Sequence, residues 1–155
     1  MAIQNSGTNN IAPLILGNNP KIREQEIIKQ DASRTVLLAA GTVMGLIAAS
    51  QKWIPVTSAT VANTDGSAWR LGILLQDISA AALAAADVTA MVLIGDAIVD
   101  SNLLVFDKGS TGSLTAQALT TTIGSGVIYA TTIQERLEGY DIFAAATVAA
   151  SAVEN

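Results

Sequence analysis

Short apolar runs cut by glycine or aspartate recur along this chain, and they confine it to folds made of brief strands and tight turns. Leu38-Ala39-Ala40-Gly41-Thr42-Val43-Met44-Gly45 is the first such block, and Arg70-Leu71-Gly72-Ile73-Leu74-Leu75 is the second. Ala86-Asp87-Val88 then leads into Val92-Leu93-Ile94-Gly95-Asp96-Ala97-Ile98-Val99. Each reads as strand, turn, strand, since glycine and aspartate favour turns while aliphatic runs between them suit a pleated sheet. Half of the 155 residues are apolar yet only six are aromatic, so Ala, Val, Leu and Ile must fill the core. Such side chains suit sheets with closely packed faces. A chain of this length makes one ordinary domain and buries roughly 70% of its unfolded surface.

Charge narrows the partners. The net charge of −5 argues against direct contact with nucleic acid, which needs a clustered positive surface. Residues 1–34 hold four basic and three acidic groups, a net +1, while the remainder holds four basic and ten acidic groups, a net −6. That asymmetry fits either two jobs or a plain solvated acidic surface. There is no cysteine and no histidine, which removes disulfides, thiolate chemistry and every mechanism that depends on imidazole. Met1-Ala2-Ile3-Gln4-Asn5-Ser6 lacks the charged and apolar regions of a signal peptide. The apolar stretch from Val36 to Ala49 falls short of the ~20 residues that span a bilayer. No membrane partner and an unsecreted, soluble chain are therefore expected.

The organisation expected is an arm over residues 1–21, one β-rich body over 22–150, and a fraying end over 151–155. Asparagine, glycine and proline crowd the first 20 residues and resist regular structure. Within them sits an apolar patch, Ile11, Pro13, Leu14, Ile15 and Leu16 with Ala12. Fixing 20 residues costs roughly 20–40 kcal/mol of backbone entropy, and burying four large aliphatics returns only about 6–12 kcal/mol. The patch must then either pack on its own body or add backbone hydrogen bonds to a partner's sheet edge. The expectation for the free protein is a disordered arm.

In the body, strands are expected over Gln25–Gln30, Val36–Ala40, Val43–Ala48 and Lys52–Val56, the last on an edge or ending at Pro55. Trp69–Gln76 reads as a central strand, Ala80–Ala86 as a short helix or loop, and Val88–Val99 as a hairpin turning at Gly95-Asp96. A second hairpin is expected around Gly124-Ser125-Gly126. Thr132 followed by Glu135 fits a capping box that starts a helix ending near Gly139, and Ile142–Val148 reads as a last strand.

No chemistry stands out. Asp96 and Asp100, or Asp77 and Asp87, would be the acid–base pairs of a small enzyme, and Asp96, Asp100 and Asp107 the ligands of a calcium ion. Aspartates at strand ends more commonly bond the local backbone, so no catalytic residue, no metal and no cofactor are expected. Trp53 and Trp69 would be carbohydrate platforms if exposed, but large aromatics usually lie in cores or subunit interfaces. The order of the apolar blocks over residues 25–106, and more weakly 132–148, resembles the lambda-type phage head decoration proteins. That resemblance implies a mainly β, compact β-tulip-like decoration fold with one or two short helices and an extended N-terminal arm. It further implies a homotrimer on the outer surface of the phage head, made in the host cytoplasm, seated at three-fold and quasi-three-fold positions. There it would cement neighbouring copies of the major capsid protein, with Ile11, Pro13, Leu14, Ile15 and Leu16 as the capsid-contact arm and Trp53 and Trp69 in core or trimer interface. A carbohydrate-binding module of a phage tail or surface is the alternative.

Overall fold

The computed structural model describes residues 14–17, 19–124 and 131–146. Its main body is a closed five-stranded barrel formed by β2 (Lys21–Ile28), β4 (Lys52–Pro55), β3 (Val43–Ile47), β5 (Leu71–Leu74) and β6 (Val88–Gly95), in that spatial order. All neighbours run antiparallel except β2 and β4. Beside the barrel lies a smaller sheet in which β7 (Ala97–Asp100) is flanked by β1 (Ile15–Gly17), antiparallel, and β10 (Ile142–Ala145), parallel. The architecture is thus mainly β, as expected, with the short helices α1 (Ala80–Ala85) and α2 (Ile133–Glu138) among the described residues.

Strand alternation divides the core in two. Ile28, Met44, Trp53, Leu74, Ala90 and Val92 form one buried cluster with Leu38, Ile78 and Leu83 of the adjoining segments. The opposite faces of the same strands, through Val43, Leu71, Ile73 and Leu93, pack with Val99, Ile133, Leu137 and Ile142. β5 is therefore buried on both faces, as its continuous apolar run requires. Trp53 fills the first cluster, and its indole N–H donates to Glu26 Oε1 at 3.1 Å, which satisfies the polar atom that burial would otherwise strand. Room for strands this close comes from glycine. A Cβ on Gly45 would overlap the Ser67 carbonyl oxygen, and one on Gly72 would sit 2.8 Å from the Leu93 carbonyl.

Local signals act as expected in several places. β4 ends at Pro55, which cannot donate to a further rung. Ser79 caps α1 through Ala82 N. Thr132 and Glu135 form the reciprocal capping box of α2, and Gly139 caps its other end. The guanidinium of Arg70 lies 4.0 Å over the Tyr140 ring, tying the turn after α2 to the start of β5. β8 (Thr122–Ile123) and β9 (Thr131–Thr132) pair antiparallel, and the turn expected around Gly124-Ser125-Gly126 falls on residues 125–130, which lie outside the described residues.

Three expectations need correction. Val36–Ala40 is not a strand. Only Leu38 bridges, to Ile78; Arg34 instead binds the Val36 and Leu37 carbonyls, and Asp77 takes the Ala40 N–H. Side chains thus satisfy backbone that a ladder would have used. Second, β6 and β7 do not form a hairpin. Both edges of β6 are taken by β2 and β5, so the chain turns at Asp96, in the left-handed region at φ 51°, and enters the other sheet. Third, β10 stops at Ala145, short of the expected Val148, which lies outside the described residues.

Candidate docking surface

The apolar patch that precedes the barrel is divided by the fold. Leu14 is only 2% exposed and sits in the core cluster with Val99, Ile123, Ile133 and Ile142. Ile15 pairs with Val99 and packs against the same cluster. Leu14 and Ile15 are therefore packed against their own body in this chain. Leu16 points the other way and is 42% exposed. Ile11 and Pro13 lie outside the described residues.

Leu16 is not isolated. In the sheet it borders, Gly17 and Phe143 both stand in register with Ile98, so these positions share the outer face, opposite Val99 and Ile142. Phe143 is 43% exposed, Ala145 is exposed, and Ile98 is half-buried. The exposed or half-buried side chains on this face, Leu16, Ile98, Phe143 and Ala145, are all apolar, and Asp100, in register with Ala145 at the far end, is only 5% exposed and accepts from Asn102 N. One end of the face is polar: Asp141 carries β10 into the sheet, and Asp96 is paired with Lys21 at 3.0 Å. An apolar centre with a polar margin is the usual anatomy of a protein interface. Sequence reasoning missed Ile98 and Phe143. The alternation Ile142-Phe143-Ala144 shows that one of the first two faces outward, but not which.

The two tryptophans separate. Trp53 is wholly buried within its own chain, whereas Trp69, in the loop before β5, is 41% exposed.

The aspartates are held one by one. Asp100 accepts from Asn102 N at 2.9 Å and Asp87 from Gln30 N at 2.8 Å, with Lys52 2.6 Å from its other oxygen. Asp96 and Asp100 stand at opposite ends of β7 and are engaged separately, Asp96 by Lys21 and Asp100 by Asn102 N. The hydrogen bond from Lys52 holds the Asp87 carboxyl below its ordinary range, and the Ser67 hydroxyl does the same for Asp65. The Thr132 backbone N–H likewise lowers Glu135. Shifts in this direction keep carboxylates ionised, the opposite of what a general acid needs. Among the described residues, no three His, Cys, Asp or Glu side chains group to hold a metal ion.

Asp107 belongs to a different device. With Arg34 it makes a buried two-pronged ion pair, Arg34 NH1 lying 2.9 Å from Asp107 Oδ2. The remaining donors of Arg34 bind the Val36 and Leu37 carbonyls. This pair floors a cleft of about 300 Å³ also lined by Lys29, Thr57, Thr60 and Ser110. Each guanidinium nitrogen has a protein partner, so the pair fastens the 107–112 loop to the segment after β2.

The bacteriophage lambda head decoration protein D family matches this chain over residues 3–127. The chain belongs to that family. No similar curated protein and no similar solved structure was found. The family match takes in the N-terminal segment from residue 3 and the stretch from 107 to 127, both beyond the blocks that carry the resemblance in the sequence. It stops short of β9, α2 and β10. In this decoration protein, then, β1 and β7 of the small sheet fall within the shared region, and β10 with Phe143 falls outside it.

Proposed function

We propose that this chain decorates the outside of an assembled phage head as a homotrimer at three-fold and quasi-three-fold positions, where it cements neighbouring major capsid subunits against internal pressure. Membership of the head decoration family is the observation that carries this reading. The structure supplies a chassis suited to it. A closed barrel has no free sheet edge to promote uncontrolled association. Three copies of one modest contact, joined in a trimer, bind through effective concentration far more tightly than one copy. The role needs no reaction, so the chain would act without catalysis or cofactor. The N-terminal segment, with Ile11 and Pro13, is the arm that reaches the shell, and Leu14 and Ile15 anchor its root in the body.

Two measurements test this reading. Light scattering over a dilution series is expected to give a mass near three times 15.9 kDa. Removal of residues 2–13 is expected to abolish co-sedimentation with undecorated heads while leaving that mass intact. Full-strength binding by this truncation would overturn the arm. The cut spares Leu14 and β1, because removing them would open the core and confuse loss of binding with loss of fold.

A further inference from the structure

We propose that the outer face of the β1–β7–β10 sheet, centred on Leu16, Ile98 and Phe143, is a second shell-binding surface that lies against an uncharged apolar patch of the capsid subunit holding the arm. The inference deepens the shell-binding reading and rests on it. Its first support is chain reach. Leu14 is fixed in the core, and Ile11 is three residues away, so a surface that holds Ile11 lies within about 11 Å of the Leu14 backbone. That distance is about the width of the sheet, since two strand spacings of about 4.8 Å carry Leu16 on β1 across to Phe143 on β10. A subunit that grips the arm at Ile11 is thereby held within reach of the β1 edge and of the face beside it.

The chemistry of the face supplies the second support. Its four exposed or half-buried side chains are apolar, and Phe143 is one of only two phenylalanines in the chain. An exposed phenylalanine flanked by leucine and isoleucine, with charged groups only at the margin, matches the buried centre of an interface. At the centre of the face, between Asp96 at one end of β7 and the buried Asp100 at the other, a charged partner meets only Leu16, Ile98 and Phe143. A face held by backbone ladders on a rigid body also loses little entropy on docking, unlike the arm, so the two contacts complement each other. The arm would supply reach, and the sheet face a pre-formed seat.

Phe143→Lys and Leu16→Lys test the proposal, with the full-length wild-type protein alongside. Each is measured for co-sedimentation with undecorated heads, for mass by light scattering, and for thermal unfolding. The expected result is a loss of head affinity of about tenfold or more for each, with unchanged mass and melting temperature. Two outcomes overturn the proposal: head binding within about twofold of wild type, or collapse of the trimer mass in Phe143→Lys, which would place the face between copies of this chain. Failure of the wild-type protein itself to bind undecorated heads would overturn the shell-binding reading instead, so the two failures are distinguishable.

Discussion

The barrel and the small sheet are made from the same aliphatic residue types, yet they meet the solvent in opposite ways. In the barrel every strand is paired on both sides, and Trp53, Ile28, Met44, Leu74 and Val92 are sealed in one cluster. Among the described residues the sheet is three strands wide with no strand beyond β1 or β10, and its outward face keeps Leu16 and Phe143 half in water. Closure removes the edges and the exposed apolar area together. The part of the molecule left unclosed is the part with surface to offer, and the contrast assigns the barrel to stability and the sheet to contact.

Four experiments would break or sharpen that contrast. The largest effect belongs to the ion pair that ties the loops beside the barrel. Asp107→Ala leaves Arg34 buried without its counter-charge and is expected to cost about 3–5 kcal/mol in urea unfolding. A cost below about 1 kcal/mol would show the loop clasp to be dispensable.

Next comes a pair of glycine-to-alanine changes, one in each region. Gly45→Ala drives a methyl into the Ser67 carbonyl and is expected to cost about 3 kcal/mol. Gly17→Ala meets nothing nearer than Ile98 Cδ1 at 3.8 Å and is expected to stay within about 0.5 kcal/mol. Equal effects would erase the distinction between a filled barrel and an open sheet.

A third test divides the sheet itself. Leu14→Ala should cost about 2–3 kcal/mol, because Leu14 is nearly fully buried. Leu16→Ala should leave stability within about 0.5 kcal/mol. Denaturation midpoints of the two variants measure the division directly, and similar losses would mean that both faces of β1 are structural.

Acid gives the smallest effect. Asp87, paired with Lys52 at a seam of the barrel, and Glu135, in the capping box, both titrate lower in the folded protein than in the unfolded chain. Their contribution is therefore present above the unfolded value near 4 and is lost as pH falls through the lower folded values. Unfolding midpoints should be insensitive to these two groups from pH 7 to about 5 and should fall below about 4. Asp87→Asn should flatten that fall; an unchanged acid profile would assign it to other carboxylates.

What was legible in the sequence was short in range. The capping box of α2 depends on Thr132 and Glu135 alone, and β5 on an apolar run too continuous for a half-exposed strand. The Asp96 corner was not legible, because whether Val88–Val99 closes as a hairpin depends on β2 and β5 having already claimed the edges of β6. The apolar run at Val36–Ala40 has strand composition, but Arg34 reaches it only because Asp107, far along the chain, draws the guanidinium inside. For the candidate site, the patch at residues 11–16 was visible and its division was not. Burying Leu14 while exposing Leu16 follows from pairing with β7. The same holds for Phe143, whose face is set by its register with Ile98.

The pairing of β1 with β7 also bears on how the protein comes into being. Ile15 leaves the ribosome early, but its partner Val99 follows 84 residues later, roughly 4–17 s at ordinary rates of synthesis. By then every barrel strand from Lys21 to Gly95 has been made, so the barrel can close first while Leu14 waits for its pocket. The third strand, β10, comes later still, at Ile142–Ala145. An unfinished chain would thus carry the barrel strands without Ile133, Leu137 and Ile142, which cover one of their faces, and without Phe143, so the late segment completes the core and the outer face of the small sheet together.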